Sequence, residues 1–328
     1  MYLYLAGDIG GYKTPDSLAH GLTWAKLEPG PADRLILLGD NVYPKGVPHP
    51  YDKDYAEMAT RLRHILDHCL EFFAPPIHLL PGNHDYNRGK TGGVLSWQSQ
   101  MDLVRTFFND RVVTVPAAPC KVTAGRMSVI LIDTQHYLQP EQAKAESQMR
   151  FLQDDLARLL EASLGRPTLV CGHHPLYSRA MHGGKFSLQQ HLFPLTLIGK
   201  RLMVPLPGLG TAVAMGRRAL GTREDIRHPR YRRLRMALKE VLGRYRGLVY
   251  AGGHDHNLQH YGIEGNHFIV SGAASKTAYV RPGGRSDFTA KTLGCFRMGG
   301  KGAEAELQAV DFQGQVLKSW TIEPLRRA

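Results

Sequence analysis

Arg34-Leu35-Ile36-Leu37-Leu38-Gly39-Asp40-Asn41-Val42-Tyr43 is an apolar run that breaks at a glycine into a carboxylate, an amide and a phenol. The run reads as a buried strand. The glycine lets the chain turn sharply, so the next side chain is presented at the strand's carboxyl end. The same pattern recurs along the chain. Gly7-Asp8-Ile9-Gly10 follows the run Tyr2–Ala6, and Gly82-Asn83-His84-Asp85 follows the short apolar stretch 77–80. Val170-Cys171-Gly172-His173 closes the run 167–170, and Gly253-His254-Asp255-His256 follows the run 248–251. Open α/β sheets bind ligands in the crevice outside the carboxyl ends of their strands, so all five motifs can face one crevice. Each motif alone is weak, because Gly-Asp is usually a turn and Asn-His usually a cap or a surface loop. The ordered set of five carries the inference.

Apolar residues recur at helical spacing over 52–73 (Tyr55, Met58, Ala59, Leu62, Ile65, Leu66, Leu70), which predicts a helix there. Helices are also predicted over 14–27, 140–164 and 231–245. Strands and helices alternate, so the class is α/β, with mixed sheets inside and helices outside. After residue 257 short strands dominate: 258–263, 267–271, 292–298, 304–310 and 316–321. These are expected to complete a second sheet packed on the first. The motifs span positions 8 to 256 of 328 residues, which implies a single catalytic domain, 1–328, with an insertion at about 185–235.

The formal net charge is +12, and residues 196–235 hold ten Lys and Arg against two acids. Apolar residues interleave with that charge over 192–235, yet Pro, Gly and charge break the run, so it cannot be a spanning helix. Two readings stay open: a peripheral contact with an anionic membrane surface, or a loop-rich cap packed on the protein or on a second subunit. A nucleic-acid partner is not expected, because Tyr231 is the one aromatic nearby and no helix-turn-helix or finger spacing is present. Cys69, Cys120, Cys171 and Cys295 match no zinc or redox spacing. Reduced thiols, and a first strand that begins directly after Met1, give the expectation of a cytoplasmic protein.

The five motifs resemble those of the metallophosphoesterase (calcineurin-like) superfamily, and more narrowly the purple or tartrate-resistant acid phosphatases. Two details carry the narrower resemblance: Asp8-Ile9-Gly10 where most superfamily members have Asp-x-His, and Tyr43 three residues after Asp40, where the purple enzymes place a phenolate. The resemblance implies a four-layer α/β/β/α sandwich of two mixed sheets flanked by helices. It implies two metal ions, one held by Asp8, Asp40, Tyr43 and His256, the other by Asp40, Asn83, His173 and His254, with Asp40 shared. The first set suits Fe(III), the second Fe(II), Zn or Mn. It further implies hydrolysis of a phosphate ester by a metal-bridging hydroxide that attacks phosphorus. A phosphomonoesterase is expected first. A metallophosphodiesterase, a lipid-phosphate hydrolase and a metal-free interaction or nucleic-acid-binding module are the alternatives. His84 is placed to bind the phosphate or protonate the leaving group. Asp85 orients His84 or makes a turn or cap. Asn83 and His174 are candidate substrate contacts, the latter with a supporting hydrogen bond as its other reading, and His182 is expected at the rim. Asn41 and Asp255 are given structural roles. The substrate and the oligomeric state are not readable from these motifs.

Overall fold

A computed structural model describes residues 1–139, 146–193, 195, 202–206 and 208–328, without the side chains of 213, 214 and 218–220. The first strands are β1 (Tyr2–Ala6), β2 (Arg34–Leu37), β3 (Ile77–Leu79) and β4 (Val112–Thr114). β5 (Cys120–Ala124), β6 (Met127–Leu131), β7 (Thr168–Cys171), β8 (Tyr245–Arg246), β9 (Leu248–Gly252), β10 (Leu258–Ile263) and β11 (Asn266–Ser271) follow. The chain ends with β12 (Phe288–Ala290), β13 (Gly294–Lys301), β14 (Glu304–Asp311), β15 (Val316–Ile322) and β16 (Arg326–Arg327). The helices are α1 (Pro15–Gly21), α2 (Tyr55–Phe72), α3 (Gly93–Phe108), α4 (Glu146–Glu161), α5 (Leu188–Leu192), α6 (Leu209–Leu220) and α7 (Pro229–Leu242).

One sheet has the order β15-β14-β13-β1-β2-β3-β4 and the other β12-β10-β11-β9-β7-β6-β5. Each has a parallel centre, β1 to β4 in one and β6, β7, β9 and β11 in the other, with antiparallel strands beyond. Successive side chains of a strand point to opposite faces. In β1 and β2 and at the residue after β2, Leu3, Leu5, Ile36 and Leu38 therefore pack inward with Val129, Leu131, Leu169 and Val249 of the other sheet. Tyr4, Ala6, Leu35 and Leu37 pack outward with Leu18, Leu62, Ile65, Leu66 and Leu103 of α1, α2 and α3. Ile130, Val170 and Tyr250 face the opposite way, against Leu152 and Leu156 of α4 and Leu234 and Leu238 of α7. The layers are thus α/β/β/α, as the sequence predicts.

Three expectations are corrected. The last strands do not all build the second sheet. β10 to β12 do, but β13 pairs antiparallel with β1 and carries β14 and β15 into the first sheet. The helix expected over 14–27 stops at Gly21, and Trp24–Leu27 forms a separate short turn that buries Trp24. α3 has no counterpart in the expectation, because Ser96, Ser99 and Gln100 point inward with Trp97 and Leu103 and interrupt the apolar stripe. The predicted helix 140–164 is present as α4, its residues 140–145 lying outside the described residues.

Candidate metal centre

The carboxyl ends of β1, β2, β7 and β9 meet where the two sheets converge. Gly7 and Gly253 face each other there: a Cβ on Gly7 would lie 2.9 Å from the Gly253 Cα, which no side chain tolerates. Backbone hydrogen bonds lace the loops together, from Asp8 N to Gly39 O at 2.9 Å, Gly10 N to Asp40 O at 3.0 Å and Gly253 N to His173 O at 2.8 Å. Asp8, Asp40 and His254 all have left-handed backbone, with φ of 62°, 58° and 70°. Such conformations cost a non-glycine residue about 1–3 kcal/mol and cluster at functional sites. Here they aim three candidate ligands into one space.

The donors form two clusters. In the oxygen-rich one, the Tyr43 Oη donates to Asp8 Oδ1 at 2.8 Å, and His256 Nε2 lies 3.2 Å from the same oxygen. Burial, then the charges of Asp8 and Asp40, hold the Tyr43 phenol well above its ordinary pKa. Burial alone would raise Asp8, but the hydrogen bond and charge of His256 outweigh it and hold the carboxylate low. In the nitrogen-rich cluster, His173 Nδ1 sits 2.7 Å from Leu38 O and His254 Nε2 sits 2.7 Å from Glu224 O. A carbonyl only accepts, so each imidazole spends its N–H there. The remaining nitrogens then face each other as bare lone pairs at 3.2 Å, with Asn83 Oδ1 3.1 Å from one and 3.0 Å from the other. With both rings neutral three acceptors converge; burial alone would lower the His173 pKa, but the charges of Asp40 and Asp8 outweigh it and raise it, so the space attracts positive charge, as a proton or as a metal. A cation resolves that arrangement, and outer hydrogen bonds of this kind are how metal-binding imidazoles are oriented. Asp40 links the clusters, with Oδ1 3.5 Å from His173 Nε2. Asp8, Asp40 and His173 offer ligand atoms within 4.8 Å of one another, as do His173, His174 and His254. The donors fit the two metals that the motifs imply.

A family model for calcineurin-like phosphoesterases matches residues 1–258. The chain belongs to that family. No curated protein matches it. Among solved structures, it is similar to GAP50, described as the anchor in the inner membrane complex of Plasmodium, at 14% identity and a TM-score of 0.56, covering 100% of this chain and 90% of that one. It is similar to the purple acid phosphatase PPD1 from yellow lupin seeds at 15% identity and a TM-score of 0.57, covering 98% of this chain but only 53% of that one. A structure of PhoD is similar at 11% identity and a TM-score of 0.55, covering 100% and 71%. At these identities the likeness is one of fold. By family, the chain is a metal-dependent phosphoesterase.

Around the phosphoesterase centre, supporting side chains take the following positions. Asp85 does not orient His84. It is buried and accepts backbone N–H bonds from Gly82 at 2.7 Å and Asp40 at 2.8 Å, and side-chain bonds from Asn41 and Gln100. It therefore ties two motif loops to α3. Burial, then the charge of Asp40, pushes its pKa up to about 7. Asn41 holds the loop as expected, bonding Leu80 O as well. His84 instead uses Nδ1 on Pro44 O at 2.5 Å and turns Nε2 toward Asp40 Oδ2, 3.9 Å away. Arg61 of α2, overlooked in the sequence, clamps the carbonyls of Gly10, Tyr12 and Tyr43 from behind the oxygen-rich cluster.

His174 is buried, with Nδ1 2.9 Å from Thr134 Oγ1 and its ring against those of His254 and Tyr231. His182 is buried rather than at a rim: its ring lies 4.1 Å from that of His254, and Nδ1 meets Asp225 Oδ1 at 2.9 Å. Asp255 receives the Ser178 hydroxyl at 2.5 Å and the His182 N–H at 3.4 Å. The unexpected contributor is the insertion. Residues 194, 196–201 and 207 lie outside the described residues, but 222–225 reach the centre. Glu224 takes the His254 N–H on its carbonyl and the Asn83 amide on its carboxylate at 3.3 Å, and Arg88 holds that carboxylate at 3.0 Å. Arg217 and Thr222 fix Asp225 behind His182. The signal available in sequence was the Glu224-Asp225 pair, the two acids in a basic stretch.

Proposed function

We propose that this phosphoesterase is a dinuclear hydrolase of purple acid phosphatase type acting on phosphate monoesters. The observation that carries the reading is the convergence of His173 Nε2, His254 Nδ1 and Asn83 Oδ1 beside the Tyr43–Asp8–His256 cluster. Asp8, Asp40, Tyr43 and His256 would hold a trivalent iron; Asp40, Asn83, His173 and His254 would hold Fe(II), Zn or Mn. Two cations of this kind supply a water of lowered pKa and positive charge for the phosphoryl oxygens. The protein's own part is to hold the ester beside His84. With Nδ1 committed to Pro44 O, Nε2 is the nitrogen left to face the departing oxygen; burial lowers the His84 pKa, so the imidazolium that could deliver Nε2–H is favoured on the acidic side. Turnover of an aryl phosphate monoester against the matching diester, on metal-loaded protein, tests this. Monoester preference is expected; diester preference would move the chain to the metallophosphodiesterases.

We also infer a surface contact through residues 192–235. Leu202, Met203, Val204, Leu209 and Met215 are exposed among the basic residues of that stretch, which suits an anionic membrane surface. Among the described residues no helix is long and apolar enough to cross a membrane. All four cysteines are free, which fits a reducing compartment such as the cytoplasm. Co-sedimentation with anionic but not neutral liposomes is expected; binding to neither removes the surface contact.

A further inference from the structure

Next to the His182–Asp225 pair lies a cavity of about 580 Å³. Gly183 and Ile226, the neighbours of that pair in sequence, form part of its wall. Arg179, Lys185, Arg227, Arg232, Arg235 and Arg285 also line it, and among the described residues no carboxylate does. Of the acids next to lining residues in sequence or contact, Asp225 is held by Arg217 and His182, and Asp255 by Ser178. Two of the guanidiniums are held by backbone carbonyls, Arg179 on Arg281 O and Pro282 O, Arg235 on Leu176 O. A carbonyl fixes a guanidinium in place without cancelling its charge. Arg232 and Arg285 are exposed at the margin. Beyond Ser178 and Gly183 the remaining wall is Leu176, Ile226, Met236, Tyr177 and Tyr261, with Arg235 and Lys239 over the Tyr177 ring. Concave walls of one sign focus the field and raise the local concentration of the opposite ion.

We propose that this cavity is a binding site for a small polyanion, a ligand carrying two or more clustered phosphate groups. The guanidiniums match phosphate because their planar donors pair with its oxygens two at a time. Gly183 and Ile226 tie the cavity to the His182–Asp225 pair beside the metal centre, so the site extends the phosphoesterase from one phosphate-recognising locus to two. The same chemistry is presented by a soluble polyphosphorylated metabolite and by a polyphosphorylated lipid headgroup.

The test uses the fluorescent trisulfonate pyranine, which carries three anionic groups on an aromatic body and no phosphoester. It is titrated into metal-loaded protein at low salt, and the Arg232→Glu/Arg285→Glu variant separates binding in this cavity from binding at the metal centre. Fluorescence anisotropy is expected to report one site, weakened by added salt, and weakened roughly tenfold or more in the Arg232→Glu/Arg285→Glu variant. Turnover of a simple aryl phosphate should be unchanged in that variant. Displacement by soluble inositol trisphosphate assigns a metabolite. Displacement only by phosphatidylcholine vesicles carrying phosphatidylinositol bisphosphate assigns a lipid headgroup. No pyranine binding, or equal binding to the variant, overturns the proposal. The readout needs no turnover, so it stands apart from the monoesterase reading.

Discussion

The two donor clusters of the centre are 3.5 Å apart at the Asp40–His173 contact, yet they are stabilised differently. The oxygen-rich cluster is self-sufficient: the Tyr43 hydroxyl donates a hydrogen bond to Asp8, and His256 stands beside both. The nitrogen-rich cluster is not. Its two imidazoles donate their N–H groups to Leu38 O and Glu224 O, so that in the neutral rings acceptor faces acceptor. A buried polar group without a partner is costly. One half of the site can therefore persist as a hydrogen-bonded network, while the other calls for a cation. The difference also separates the roles of the surrounding chain. Arg61 of α2 braces the first half through backbone carbonyls, whereas Glu224 of the insertion braces the second.

The substitutions that break this contrast can be ranked. Asp40→Asn touches both halves and should have the largest effect: loss of both metals, with turnover down by on the order of 10³-fold, checked by elemental analysis and aryl phosphate kinetics. Asn83→Ala strikes the nitrogen-rich half alone. It should leave one metal per chain and lower turnover by roughly 10²-fold. Retention of two metals would mean that Asn83 is not needed for the second. Glu224→Ala removes the carboxylate that holds the Asn83 amide and Arg88 while keeping the carbonyl that holds His254. Affinity for the more weakly held metal should drop by roughly tenfold, measured by competition with a chelator. Tyr43→Phe should be mildest in rate, within about tenfold, but should remove any visible charge-transfer band. A band that persisted would exclude the phenolate.

The same contrast describes what the sequence could tell. Donors that follow a strand and a glycine are legible because strand, turn and side chain are contiguous in the chain. Asp8, Asp40, Asn83, His173, His254 and His256 were found that way, and the four layers follow from the alternation that surrounds them. Braces are not contiguous with what they brace. Glu224 is 141 residues from the Asn83 amide it accepts, and nothing local in its neighbours records that contact. Asp85 looked like a partner of the adjacent His84, but its oxygens go to backbone N–H groups 45 residues earlier and to Gln100 of an unforeseen helix. The division of the last strands has the same origin. Alternating apolar residues identify β13 as a strand, but its pairing with β1 depends on which edge is open, a property of the whole sheet.

The account rests on a cation being required between His173, His254 and Asn83 and joined to a second through Asp40. The direct measurement is metal content and visible spectrum of protein purified without chelator. Two metals per chain, iron among them, with a tyrosinate band that disappears in Tyr43→Phe, is the predicted result. Protein that takes up no metal, even from a solution of iron and zinc, would contradict it.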